Sequence, residues 1–95
     1  MEYLMRDVIR IMIVDYKSAT DRKRHTRDLF AFCKAAQIQQ PVLLPFPAED
    51  YYEIDLAGLS EHTALLWLHI LCNLAALNPH FVVEFQQRET YSFCP

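Results

Sequence analysis

Val8-Ile9-Arg10-Ile11-Met12-Ile13-Val14 is the stretch on which the fold turns. Its residues are β-branched or apolar on both alternating faces, with Arg10 the one charge among them. Such a run suits a strand in the middle of a sheet. Asp15-Tyr16-Lys17 leaves it, and Ser18 or Thr20 can cap a helix that ends near Gln37. The second half of this helix carries an apolar stripe of Leu29, Phe32, Cys33 and Ala36. Its first half, residues 21–28, is almost wholly charged and is predicted to project into water.

Further along, Pro41-Val42-Leu43-Leu44-Pro45-Phe46-Pro47 is extended in character, but its three prolines remove ladder donors and allow only an edge strand. Ala48-Glu49-Asp50 reads as a turn. Residues 51–57 alternate, with Tyr52, Ile54 and Leu56 inward against Tyr51, Glu53 and Asp55. A long helix follows over 61–77, started by Ser60 and stopped by Asn78-Pro79. Residues 81–88 make a last strand with Phe81, Val83 and Phe85 on one face.

The order β-α-β-β-α-β predicts a single α+β domain over 1–95 with the ferredoxin-like arrangement. Right-handed crossovers give a four-stranded antiparallel sheet of order 4-1-3-2 with both helices on one face. The first strand is then central and the proline-rich one at an edge, as their compositions independently require. A receiver-like three-layer domain would need more parallel strands than this chain supplies.

The second helix is unusually apolar. On a wheel of about 100° per residue, Ala64, Trp67, Leu68, Leu71, Leu74 and Ala75 share one face. Leu65, Leu66, Ile70, Cys72 and Leu77 fall on the flanks, leaving His62, His69, Asn73 and Ala76 for a narrow outer stripe. Leu65, Leu66, Ile70 and Leu77 cannot all reach a core centred on Leu71. They are therefore candidate interface residues, and a homodimer is expected to cover them.

Composition removes several function classes. Hydrophobic residues make up 53% and charged residues 22% of the 95, too apolar for a disordered chain. The lone glycine, Gly58, excludes a glycine-rich phosphate cradle. A net charge of −3 argues against a general nucleic-acid binder. Cys33, Cys72 and Cys94 form no CxxC pair, and the first two are expected as buried, reduced thiols on helices. With no secretory leader pattern at Glu2 to Asp7 and no apolar run of bilayer length, the expected setting is cytoplasmic, with no membrane partner.

Asp15 ends the first strand and is followed by Arg22-Lys23-Arg24-His25 and Arg27. A carboxylate there can hold a hard cation while the basic groups hold phosphates. The segment Ile13-Val14-Asp15-Tyr16-Lys17-Ser18-Ala19-Thr20-Asp21-Arg22-Lys23-Arg24 resembles the Cas2 family, small ferredoxin-like dimers of bacterial adaptive immunity. That resemblance implies a metal-dependent nuclease or DNA-binding adaptation subunit using Asp15, with Arg22, Lys23, Arg24 and Arg27 on nucleic acid. The chain departs from the family in the order of Asp15 and Tyr16 and in having no glycine after the first helix. Read from the residues alone, the same segment is a solvated helix end with ion pairs from Asp21 and Asp28.

His69 and Cys72, with Cys33 as a third ligand, make an incomplete zinc set, so no metal or cofactor is expected. The sheet face away from the helices should present Glu53, Asp55, Glu84, Gln86 and Arg88. Tyr51 alone does not make an RNA-stacking platform. The expectation is a non-enzymatic interaction module, a regulator, inhibitor or assembly subunit that binds itself or a larger host protein. Leu65, Leu66, Ile70 and Leu77 and the acidic Glu53, Asp55 and Glu84 are the contact candidates. Size alone suggests a phage or plasmid source. A small-ligand sensor is a third reading, since ferredoxin-like dimers can bind ligands between subunits.

Overall fold

In the computed structural model, residues 3–43 and 51–91 are described, with side chains from 7–43 and 51–86. The elements run β1 (Tyr3–Ile13), α1 (Ala19–Ala35), β2 (Val42–Leu43), β3 (Tyr51–Asp55), α2 (Glu61–Leu77) and β4 (Phe81–Tyr91). The sheet is antiparallel in order β2-β3-β1-β4, the ferredoxin-like arrangement read in reverse. β1 is central and β2 is an edge strand of two residues, consistent with its prolines. The turn read at Ala48 to Asp50 lies outside the described residues.

Register fixes which residues share a face, since directly opposed residues point the same way. Ile9 opposes Ile54 and Phe85, Ile11 opposes Tyr52 and Val83, and Ile13 opposes Phe81. This row carries the core. Ile9, Ile11, Ile13, Ile54, Tyr52 and Phe81 pack in one buried cluster with Leu29 and Cys33 of α1 and Leu71 of α2. Both helices therefore cover one side of the sheet. Val8, on the other side, is fully buried too.

β1 and β4 are longer than their sequence patterns predict. β3 opposes only residues 8–12 of β1, so residues 3–7 pair with 87–91 as a two-stranded ribbon. Five residue pairs give it about 17 Å of length.

α1 starts where its cap is. Ser18 Oγ accepts the Asp21 amide at 3.1 Å, and the Asp21 carboxylate accepts the Lys17 amide at 2.9 Å. Its end is a Schellman closure. The Ile38 amide reaches the Cys33 carbonyl at 2.8 Å and the Gln37 amide reaches Lys34 at 3.2 Å. Gln37 takes the left-handed position with φ 60 that glycine usually fills. α2 is capped by Ser60, whose Oγ accepts the Thr63 amide at 3.1 Å, and it ends at Asn78.

Two expectations need correction. The charged first half of α1 does not wholly face water, because His25 is buried beneath it. His25, Leu29 and Cys33 are four residues apart, so the buried stripe runs one turn further toward the N-terminus than its apolar members. Cys72 is exposed on α2, whereas Cys33 is buried and its thiol is pushed up to about 11 by desolvation.

Candidate interaction surface

The rotation of α2 is set by Leu71, which has no exposed surface. Ala64, Trp67, Leu68, Leu74 and Ala75 pack partly buried around it, as the wheel predicts. His62, His69, Asn73 and Ala76 are exposed. The flanking leucines are not covered by their own chain: Leu65 is 56%, Leu66 47% and Leu77 86% exposed. Ile70 is half-buried at the margin of the core.

These four side chains do not form one patch. Leu66, Ile70, Asn73 and Leu77 are spaced four, three and four residues apart, the spacing of a heptad seam, so they make one stripe along α2. Leu65 stands about 100° round the helix from Leu66. Together with Leu68 it lines a groove of about 330 Å³ between the start of α2, the end of β3 and Phe85 of β4. Phe85 lies on the core-facing row yet is 46% exposed, on the wall of this groove.

The opposite sheet face mixes charged side chains with Val8, Met12 and Val82. Arg10 stands between Glu53 of β3 and Glu84 of β4 in one cross-strand row. Its guanidinium approaches Glu53 to 3.5 Å and lies 5.6 Å from the Tyr51 ring centre. Asp55 is half-buried and Glu84 exposed on the same face. Tyr51 is thus engaged by a cation of its own sheet. The side chain of Arg88 lies outside the described residues.

At the other end of the sheet, Asp15 is exposed with φ 59, a left-handed conformation that aspartate tolerates. Arg24 is hydrogen-bonded to Asp21, and Arg22 lies 5.9 Å from the Tyr16 ring centre. Lys23 and Arg27 are exposed. The Asp21 carboxyl is held below its ordinary value by the Lys17 amide first, then by Arg24 and the two nearby histidines. Among the described residues, no three His, Cys, Asp or Glu side chains are placed to hold a metal ion. His69 and Cys72 are exposed, away from the buried Cys33.

Sequence reasoning missed three groups. His25 stacks on His80 with ring centres 4.0 Å apart, and its Nε2 is 3.5 Å from the Asp21 carboxylate. Neither ring nitrogen of His25 makes a hydrogen bond, whereas His80 Nδ1 is 3.0 Å from the Val14 carbonyl. On the sheet, Arg10 Nε and Asp7 Oδ1 are buried without hydrogen-bond partners. The alternation Asp7, Ile9, Ile11, Ile13 was the available signal for Asp7, since it continues the core-facing row by one step.

No family model, curated protein or solved structure matches this chain. No helix among the described residues is long and apolar enough to cross a membrane.

Proposed function

We propose that this protein is a small non-enzymatic interaction module, a homodimer joined through α2 that engages a larger protein as a regulator, inhibitor or assembly subunit. The observation that carries the reading is the exposed stripe Leu66, Ile70, Asn73 and Leu77. Heptad spacing on a capped helix suits a second helix. A twofold axis across the stripe, between Ile70 and Asn73, sets Leu66 of one copy against Leu77 of the other. Burying a leucine fully is worth about 1.5–3 kcal/mol. Scaled by the 47% and 86% exposure of Leu66 and Leu77, two copies gain about 4–8 kcal/mol. Association costs about 4 kcal/mol or more, so the two leucines alone do not reach the net of about 8 kcal/mol of a micromolar dimer, and the flanking contacts along the stripe must supply the rest. The sheet face that carries Glu53, Asp55 and Glu84 lies away from this seam, and Glu84 is exposed on it toward the larger partner.

Light scattering at micromolar concentration should return about twice the 11.2 kDa chain mass. Leu66→Glu should lower it toward the monomer while circular dichroism stays unchanged. Val82→Lys, on the far face of the sheet, should leave the dimer intact, which separates a helix contact from a sheet-face contact. A monomeric wild-type chain at these concentrations defeats the proposal.

A further inference from the structure

The two edges of the sheet are built differently. β2 closes one side with two residues, and Pro41 precedes it while Pro45 and Pro47 follow closely in the sequence. Short length and prolines are the ordinary protection of an edge strand. β4 closes the other side and has neither. It is 11 residues long, contains no proline, glycine or lysine, and pairs with β1 in one unbroken register from Phe81 to Tyr91. Among the described residues no strand pairs with its outer side. Val82 and Phe85 are 36% and 46% exposed, and Glu84 between them is exposed as well. A long edge without a bulge, rich in valine and phenylalanine, is a template for a further strand.

We propose that the outer edge of β4 receives an extended segment of the larger partner protein, which joins the sheet as an added strand. This rests on the reading of the chain as an interaction module and names how the partner is held. The inner neighbour of β4 shows what such a strand needs. Side chains stand perpendicular to a sheet, so β4 offers an outer neighbour the same residues that it offers β1. β1 sets Ile9 opposite Phe85, Arg10 opposite Glu84 and Ile11 opposite Val83. Arg10 turns its guanidinium to Glu53, 3.5 Å away on β3. The partner segment therefore alternates, with an arginine or lysine opposite Glu84 and apolar residues on either side of it, opposite Phe85 and Val83. Main-chain hydrogen bonds supply the affinity, and the alternation selects the segment. The edge belongs to the sheet and the dimer seam to α2, so each can be perturbed without the other.

The probe is the peptide acetyl-Val-Thr-Val-Arg-Val-Thr-Val-amide, a palindrome that offers the same order of side chains in either direction. It is titrated into the isotopically labelled full chain, and amide shifts and hydrogen exchange are followed by nuclear magnetic resonance. Binding should saturate by millimolar concentration at one site per chain. Amides within residues 81–86 should exchange more slowly, while those of residues 42–43 on the opposite edge stay unchanged. With glutamate in place of its arginine, the peptide should bind about threefold to tenfold more weakly, because a like charge then stands opposite Glu84. Glu84→Lys, with the circular dichroism spectrum kept, should reverse that preference. Leu66→Glu, which separates the α2 dimer, should leave peptide affinity unchanged, so failure of the dimer and failure of the strand site are told apart. The proposal is overturned if the peptide does not saturate, or if the protected amides lie away from β4. Equal affinity of the wild type for the arginine and glutamate peptides overturns it too. Wild-type assemblies larger than a dimer that break up in Glu84→Lys would put a second copy on this edge and overturn the assignment to a partner.

Discussion

Replacing Leu71 by alanine tests how α2 is held. Leu71 has no exposed surface and packs in the same cluster as Ile9, Ile11 and Leu29. The strands beneath it are fixed by their ladders. The connections on either side of the helix are tied to β1, by the Leu56 amide on the Asp7 carbonyl at 3.0 Å and by the Val14 amide on the His80 carbonyl at 2.8 Å, which limits how far α2 can sink into a cavity. Leucine-to-alanine changes at sites that relax little cost about 3–5 kcal/mol. A domain of 95 residues has about 5–14 kcal/mol in all, so the loss is a large share of the total. At about 4–8 °C per kcal/mol, the midpoint of thermal unfolding should fall by at least about 12 °C. Urea unfolding at two protein concentrations separates this loss from any linkage to dimerisation. Leu77→Ala, at a position 86% exposed, is the control and should cost about 0.5 kcal/mol or less at the dilute limit. A loss below about half a kilocalorie for Leu71→Ala, outside the range of buried leucines, would refute the assigned rotation of α2.

Other substitutions probe the remaining elements. Gln37→Gly should stabilise the chain by about 0.5–1 kcal/mol, because the left-handed position at φ 60 strains any residue with a Cβ; an unchanged urea midpoint would contradict the Schellman closure of α1. Asp21→Asn should lower the melting temperature at neutral pH. The folded Asp21 carboxyl lies below its ordinary 3.8, so its contribution is present above that value and lost as pH falls through the lowered one. The gap between wild type and variant should therefore close in acid, and a gap constant across the range would refute the assignment. Reversing the exposed Lys23 and Arg27 to glutamate should change stability by about half a kilocalorie or less. DNA binding by the wild type that disappears in this variant, with the fold kept, would identify α1 as a nucleic-acid surface.

The architecture was legible in the chain because its signals are local. Val8 to Val14 is apolar on both faces, and a strand of that kind belongs at the centre of a sheet. Three prolines confined the second strand to an edge, and Ser18, Ser60 and Asn78 marked helix ends through hydrogen bonds made within a few residues. Leu71 as the innermost residue of α2 followed from the 3.6-residue period alone. The excess of leucine on that helix was also visible, since no single buried face accommodates all of it.

What required the tertiary structure is every property set by residues distant in sequence. Leu65 and Leu66 are neighbours in the chain, yet one faces a groove closed by β1, β3 and β4 while the other belongs to an open stripe. Asp7 is an ordinary acidic residue until the β1–β4 register and the start of α2 enclose its Oδ1 without a donor. His25 carries no apolar signal, but stacking on His80, 55 positions away, takes it into the interior. Periodicity reports which way a side chain points from its own element. Only the packing of the other elements determines whether that direction holds water, an apolar wall or a second charge.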